Sequence, residues 1–212
     1  MNKIIQINRE ENWITTQPGI VIDQLNNSIK HLGIHFAPDP STANRATIGG
    51  AIGNNSCGAH SILWGKTVDN VISLETILSD GSNANFGITD IKTIANKDYS
   101  NNLEKNIYSW VKEINSTKSK YIVDNYPKIS RRVSGYNLDE ITDKTHLNLA
   151  GLLVGSEGTL VAVTEAKVKL VATPKYKALA IAHFSSLSQS MESTIEIVDF
   201  GPSAVELVDK SI

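Results

Sequence analysis

The residues best suited to chemistry lie in one run: Pro38-Asp39-Pro40-Ser41-Thr42-Ala43-Asn44-Arg45-Ala46-Thr47-Ile48-Gly49-Gly50-Ala51-Ile52-Gly53-Asn54-Asn55-Ser56-Cys57-Gly58. Glycine carries no Cβ, so backbone N–H groups beside it can come close to a ligand. Successive exposed N–H groups form a concave nest that suits phosphate oxygens or an electron-rich ring edge. Gly49 and Gly50 are the expected centre of such a nest. Thr47, Asn54, Asn55 and Ser56 add neutral hydrogen-bonding groups of short reach. The set fits a large, polar, planar cofactor better than a metal ion, and its competitor is a purely structural turn system. The run is neither Gly-x-Gly-x-x-Gly opening a helix nor Gly-x4-Gly-Lys-[Ser/Thr], so a nicotinamide site or a P-loop has no support.

These residues need elements to position them. Phe36 to Gly65 is too long for a connector, and Ile48, Ile52, Ile62, Leu63 and Trp64 punctuate it, so we read it as an ordered loop system approaching a ligand. Upstream, 4–7 and 13–16 read as strands. Ile22, Leu25, Ile29 and Leu32 then recur at helical spacing up to Gly33. Downstream, 71–78 reads as a strand closed by Asp80-Gly81-Ser82, with a returning partner near 84–87. Leu103, Ile107, Trp110, Val111 and Ile114 mark a helix face. Strands are expected at 152–154 and 160–170, around Gly155-Ser156-Glu157-Gly158-Thr159. Past Thr173-Pro174 a strand is expected at 178–184, a helix on Leu187, Met191, Ile195 and Val198, and a strand at 204–208.

Composition narrows the function classes. The chain has 212 residues, 41% hydrophobic and 20% charged, with a net charge of -2. That fits one soluble domain, or one domain with part of a second. No basic stripe suggests nucleic acid, and no apolar run approaches the roughly 20 residues that span a bilayer. The single cysteine, Cys57, excludes an internal disulfide and any multi-cysteine metal or iron–sulfur site within the chain. It reads as a small buried hydrophobe rather than a reactive thiol. His31, His35, His146 and His183 are scattered without metal-ligand spacing. No nucleophile elbow supports a hydrolase. The expected localisation is cytoplasmic, with a peripheral position at the inner face of the membrane as a variant.

Several blocks taken together carry a family likeness. Thr47-Ile48-Gly49-Gly50, Asn54 to Gly58, Gly65-Lys66-Thr67-Val68-Asp69-Asn70-Val71 and Asp80-Gly81 resemble the FAD-binding domain of the vanillyl-alcohol-oxidase/PCMH-type flavoproteins. Trp64 stands where that family usually has Tyr. Arg131-Arg132-Val133-Ser134-Gly135-Tyr136-Asn137-Leu138 resembles its [Lys/Arg]-x3-Gly-Tyr-[Asp/Asn]-Leu segment, and 151–170 its Gly-Ser-Glu-Gly-Thr-Leu strand. Within the family the text is most similar to the FAD-linked oxidase branch holding D-lactate dehydrogenase, glycolate oxidase and D-2-hydroxyglutarate dehydrogenase. The wording is nearest to large bacterial proteins that fuse a flavin domain to an iron–sulfur domain.

The resemblance implies an α+β fold with a mixed or antiparallel sheet and flanking helices: an FAD-binding domain over 1–173 and the start of a cap domain over 174–212. It implies non-covalent FAD, although His60 sits near the site and some superfamily members link FAD through a histidine. The implied cofactor contacts are Pro38, Ser41, Thr47, Ile48, Gly49, Gly50, Asn54, Ser56, Gly58, Gly65, Thr67, Glu157, Gly158 and Val163. Val163 reads equally as an ordinary strand residue. Arg131 and Arg132 read as contacts for an anionic substrate or the flavin edge, or as an exposed turn. The family's glycine-rich Arg-Gly-Gly-Gly-Thr loop is expected before Met1 and its substrate-handling cap histidines after Ile212, so the chain reads as a middle piece of an enzyme with no catalytic residue of its own to name. The implied reaction is hydride transfer from a 2-hydroxy acid to flavin N5. Electrons would pass to a quinone, a cytochrome, an electron-transfer flavoprotein or an iron–sulfur domain, with clusters only in a further domain. Rival readings are a non-catalytic FAD-binding remnant of a split or truncated gene, and a flavin reductase of cell-wall synthesis.

Overall fold

In a sheet with one buried face, alternate side chains turn inward, and the second strand of the N-terminal hairpin follows that rule. The computed structural model describes residues 1–211. Strand β1 (Ile4–Asn8) pairs antiparallel with β2 (Trp13–Thr16), which buries Ile14 and Thr16 and leaves Trp13 and Thr15 half-exposed. Helix α1 (Ile22–Ile29) buries Ile22, Leu25 and Ile29, a single stripe at helical spacing. A 3-10 turn over Lys30–Leu32 extends it, and Gly33 ends it in the left-handed region. The chain then forms β3 (Ile34–His35), α2 (Ile48–Asn54), α3 (Ser61–Trp64) and α4 (Thr67–Asn70). The expected loop system therefore contains three short helices.

A hairpin follows, β4 (Val71–Ile77) with β5 (Asn83–Asp90). Asp80 Oδ1 fastens its turn by accepting from the amide and hydroxyl of Ser82. Next come α5 (Asn102–Asn125), β6 (His146–Asn148), α6 (Leu149–Leu153), β7 (Ala162–Lys169), β8 (Val171–Ala172) and α7 (Leu187–Asp199). One sheet runs β1-β2-β7-β4-β5-β6, and β3 pairs with β8 in a second. Every strand pair among the described residues is antiparallel. The central strand β7 brings the 155–161 loop back against the segment that contains α2. Ile14, Leu25, Ile48, Ile52, Leu74, Phe86, Tyr108, Leu147, Ala166 and Val168 share one core.

Four local expectations need correction. Residues 152–154 do not form a strand: α6 takes in Leu152 and Leu153 and ends at Val154, and the Asn148 side chain caps its start by accepting from the Gly151 amide. That cap and the Leu-rich text favour helix once Leu149, Ala150 and Leu153 have a core to enter. On α5 the buried residues are Glu104, Tyr108, Val111 and Ile122, while Trp110 and Ile114 are exposed. Val111 enters the core and Leu103 and Ile107 pack at its edge as expected, but the centre of the stripe lies one position round, at Glu104 and Tyr108. The Glu104 carboxylate accepts from Lys97 Nζ at 2.5 Å and from the Ser100 amide at 2.8 Å, and Lys97 lies over the rings of Tyr99 and Tyr108. Finally, 178–184 and 204–208 are not strands. A strand needs a ladder partner, none stands beside either segment, and no described residue after Leu170 is buried.

Candidate functional site

Helix α2 has two unlike faces. Ile48, Ala51 and Ile52 are buried on one side, and Asn55, just past the helix, is buried with them. Gly49, Gly50, Gly53 and Asn54 lie on the other, which is bare backbone apart from one amide side chain. Thr47 starts the helix, its Oγ1 accepting from the Gly50 amide at 3.0 Å.

The paired glycines do not form the expected nest. The Ile48 amide donates to Ile20 O, the Gly49 amide to Pro18 O and the Gly50 amide to Thr47 Oγ1. The first turn is already satisfied from within, as buried or half-buried donors must be. Gly49 is required by the fold, since a Cβ there would lie 2.7 Å from Pro18 Cβ. Gly50 is nearly free of such demand, with only Thr47 Oγ1 at 3.2 Å. Gly53 has no neighbour at all within 4 Å of where a Cβ would stand. A glycine in a helix costs roughly 0.5–1 kcal/mol relative to alanine. Nothing inside the molecule accounts for Gly53, so its bareness points outward. The sequence reading missed this residue, although its spacing of four from Gly49 on a helix would have exposed it.

A second backbone segment borders that face. The Gly155 amide donates to Ile52 O at 2.8 Å and the Glu157 amide to Gly53 O at 2.9 Å, which ties the 155–158 loop to the end of α2. Gly155, Glu157 and Gly158 all have positive φ, which for the non-glycine Glu157 is an uncommon conformation found at functional turns. Ser156 is buried, whereas Glu157 and Gly158 are exposed. Among the described residues the Gly158 amide finds no intramolecular acceptor. A free donor thus stands on this loop, and none on Gly49 or Gly50.

The other expected contacts lie behind this surface. Ser56 Oγ donates to Asn54 Oδ1, and Ser56 O accepts from both the amide and the hydroxyl of buried Thr67. Asn55 Oδ1 accepts from the Val68 amide. A Cβ on Gly58 would lie 2.1 Å from Asp39 O, and one on Gly65 2.4 Å from Asp69 Oδ2. Pro38 is buried and Ser41 exposed. Val163 packs against the core, the ordinary strand role. His60 Nδ1 contacts Asp39 Oδ2, and Trp64 stands between His60 and His35. Burial, helped by the Lys177 charge, holds the His35 pKa below its usual value. Cys57 is a half-buried free thiol. Arg131 Nη2 donates to Gly58 O, while Arg132 grips Asp139 through two 2.8 Å contacts. Those arginines, with Tyr126, Pro127, Ile129, Val133 and Ser134, line a shallow depression of about 300 Å³. It includes none of the expected cofactor contacts. Among the described residues no three His, Cys, Asp or Glu side chains converge as metal ligands.

A bare helical face, an adjoining left-handed loop with a free amide and a rim of neutral hydrogen-bonding groups fit a large planar cofactor. The comparisons agree. Residues 1–87 match the family model described as an FAD binding domain. In that part the chain is similar to the FAD-linked oxidases. D-2-hydroxyglutarate dehydrogenase of Escherichia coli (strain K12) is 34% identical over the whole chain, and the chain spans 21% of that protein's length. Glycolate oxidase subunit GlcD of Bacillus subtilis (strain 168) is 28% identical over 99% of the chain, which spans 34% of it. A solved structure of alkyldihydroxyacetonephosphate synthase superposes with a TM-score of 0.58 over 96% of the chain at 20% identity, a likeness of fold. In this FAD-linked oxidase fold, α2 and the 155–158 loop stand side by side. No helix among the described residues is long and apolar enough to cross a membrane.

Proposed function

We infer that the chain forms one wall of the FAD site in a dehydrogenase that oxidises a 2-hydroxy acid, of the D-2-hydroxyglutarate, D-lactate or glycolate class, to the 2-keto acid. Relatives named for each of those substrates align along essentially the whole chain. The observation that carries the site is Gly53, a helix glycine that no intramolecular contact requires. When bound, FAD supplies the acceptor for the hydride on the substrate's carbinol carbon. The chain's own part is orientation. Gly50, Gly53 and Asn54 form the flat surface, and Glu157 and Gly158 close its edge with the free amide. Thr47, Ile48, Gly49, Ser56, Gly58, Gly65 and Thr67 hold that backbone in place, with Pro38 and Ser41 at the entrance to the run. The cofactor is held without a covalent bond. Electrons leave to a quinone, a cytochrome, an electron-transfer flavoprotein or an iron–sulfur domain. The flavin-facing unit ends near residue 173 and works in the cytoplasm.

The test is FAD titration by calorimetry together with turnover of D-2-hydroxyglutarate, D-lactate and glycolate by the holoenzyme. The wild type should bind one FAD, released whole on denaturation, and turn over one of the three. Gly53→Val should lower FAD affinity about 100-fold, near 2.7 kcal/mol, with secondary structure intact. Unchanged affinity in that variant would remove α2 from the site. A flavin-loaded protein inert toward all three acids would overturn the reaction class.

A further inference from the structure

The 155–158 loop is backed by a polar assembly centred on the buried Asn137. Helix α6 ends just before the loop, and helix ends leave carbonyls without partners. The Asn137 side chain supplies them: its Nδ2 donates to Gly151 O at 3.2 Å and to Val154 O at 2.7 Å, and the residue is only 2% exposed. Val154 is the residue that enters the loop. Asn137 is itself held. Its Oδ1 accepts from Arg132 Nη2 at 3.4 Å, and Arg132 is fixed by Asp139 and by stacking 4.2 Å above the Tyr126 ring. The Tyr126 hydroxyl donates to Tyr136 O and accepts from the Leu138 amide, gripping the chain on both sides of Asn137.

A second tie reaches the far end of the loop. Tyr136 OH meets Thr159 Oγ1 at 2.9 Å, and Thr159 Oγ1 donates to Ser156 O at 2.6 Å. Between the two ties the loop has close neighbours. A Cβ on Gly155 would lie 3.4 Å from Asn55 Cβ on one side and 3.4 Å from Gly135 O on the other. The loop is therefore held from two sides, on α2 by the Gly155 and Glu157 amides and from behind by residues 126–139. The Arg132–Asp139 pair is partly exposed, so its charge adds little stability. One guanidinium nitrogen, Nη2, serves both Asp139 oxygens and Asn137 Oδ1 while the planar group lies over the Tyr126 ring, which fixes direction instead.

Resting on the reading that Gly158 faces the cofactor, we propose that Asn137, oriented by Arg132 and Tyr126, is a positioning residue that sets the 155–158 loop against the flavin. Tyr136 serves the same end through Thr159. Small displacements of groups that orient a reaction cost up to about 100-fold in rate even when the displaced residue touches nothing reactive.

The test uses the FAD-loaded holoenzyme and three variants: Asn137→Ala, Arg132→Lys and Tyr136→Phe. Visible absorption of the bound flavin, its midpoint potential, the FAD Kd and kcat against KM are read beside the melting temperature. Asn137→Ala should lower kcat about 100-fold and shift the flavin band and potential. Arg132→Lys, which keeps the charge but not the planar group stacked on Tyr126, should reproduce a smaller shift. Tyr136→Phe should move the flavin signals with the melting temperature nearly unchanged. Asn137→Ala leaves buried carbonyls unpaired and is the variant at risk of misfolding, so the other two decide the matter in that event. Lower melting temperatures with unaltered spectrum, potential and kcat would reduce the assembly to a structural role and overturn the proposal. A wild-type protein that holds no flavin would instead overturn the proposed function, and this inference with it.

Discussion

Gly49 and Gly58 on one side, and Gly50 and Gly53 on the other, stand within ten residues of each other yet answer different demands. The first pair faces the protein: Pro18 closes on Gly49 and Asp39 on Gly58. The second pair faces out, with a single neighbour between them. One letter thus encodes both a fold requirement and a ligand requirement, and only contact geometry separates them. A glycine that the protein itself demands should be intolerant to alanine. One reserved for a ligand should tolerate alanine in stability and lose only binding.

The largest effect expected from this contrast is at Gly58. Gly58→Ala places a Cβ 2.1 Å from a backbone oxygen that cannot rotate away. We expect a loss of about 3 kcal/mol, or roughly 6–12 °C in melting temperature, by thermal denaturation followed by circular dichroism. A change of under 1 °C would show that the Asp39 segment yields freely and would blur the distinction.

The pair Gly49→Ala and Gly53→Ala gives opposite signs. Gly49→Ala meets Pro18 and should destabilise by about 1–2 kcal/mol. Gly53→Ala gains helix propensity without a clash and should stabilise the flavin-free protein by about 0.5–1 kcal/mol. It should at the same time weaken FAD binding. Stabilisation with undiminished FAD affinity would sink the ligand explanation for Gly53.

A smaller effect concerns pH. Burial raises the Glu140 pKa above its ordinary carboxylate value, only partly countered by the hydrogen bond from Asn148. A carboxyl whose folded pKa is raised binds its proton more tightly when folded. Its stabilising contribution is present below the unfolded pKa of about 4.5 and is lost as pH rises through the folded value. Glu140→Gln should flatten that part of the stability–pH curve measured by urea denaturation, leaving neutral-pH stability equal or higher. A steeper dependence in the variant would contradict the assignment.

The smallest effect is expected at Cys57, half-buried beside the site with no partner that calls for a thiol. Cys57→Ala should keep turnover within about an order of magnitude, since the half-buried thiol reads as a small apolar side chain. A loss of several orders of magnitude at unchanged melting temperature would mark the thiol as reactive.

What the sequence by itself determined is whatever rests on local period and local chemistry. Ile22, Leu25 and Ile29 repeat at helical spacing and form α1, and Trp13–Thr16 alternates and forms β2. The Asp80-Gly81-Ser82 turn closes its hairpin, and the family blocks around Gly49, Gly135 and Gly155 stand in order. The tertiary structure decided the rest, because the deciding partners lie far along the chain. Pro18, about thirty residues upstream, takes the Gly49 amide and turns the expected nest into a capped helix. Glu104 turns the α5 stripe by one position because Lys97 and the Ser100 amide meet it inside. The apolar letters of 178–184 and 204–208 carry strand propensity but have no neighbouring strand, and without a ladder that propensity is unused. The 155–158 loop reads as glycine-rich in any context. It faces the bare side of α2 because β7 returns between β2 and β4 and Asn137 fills the space behind it.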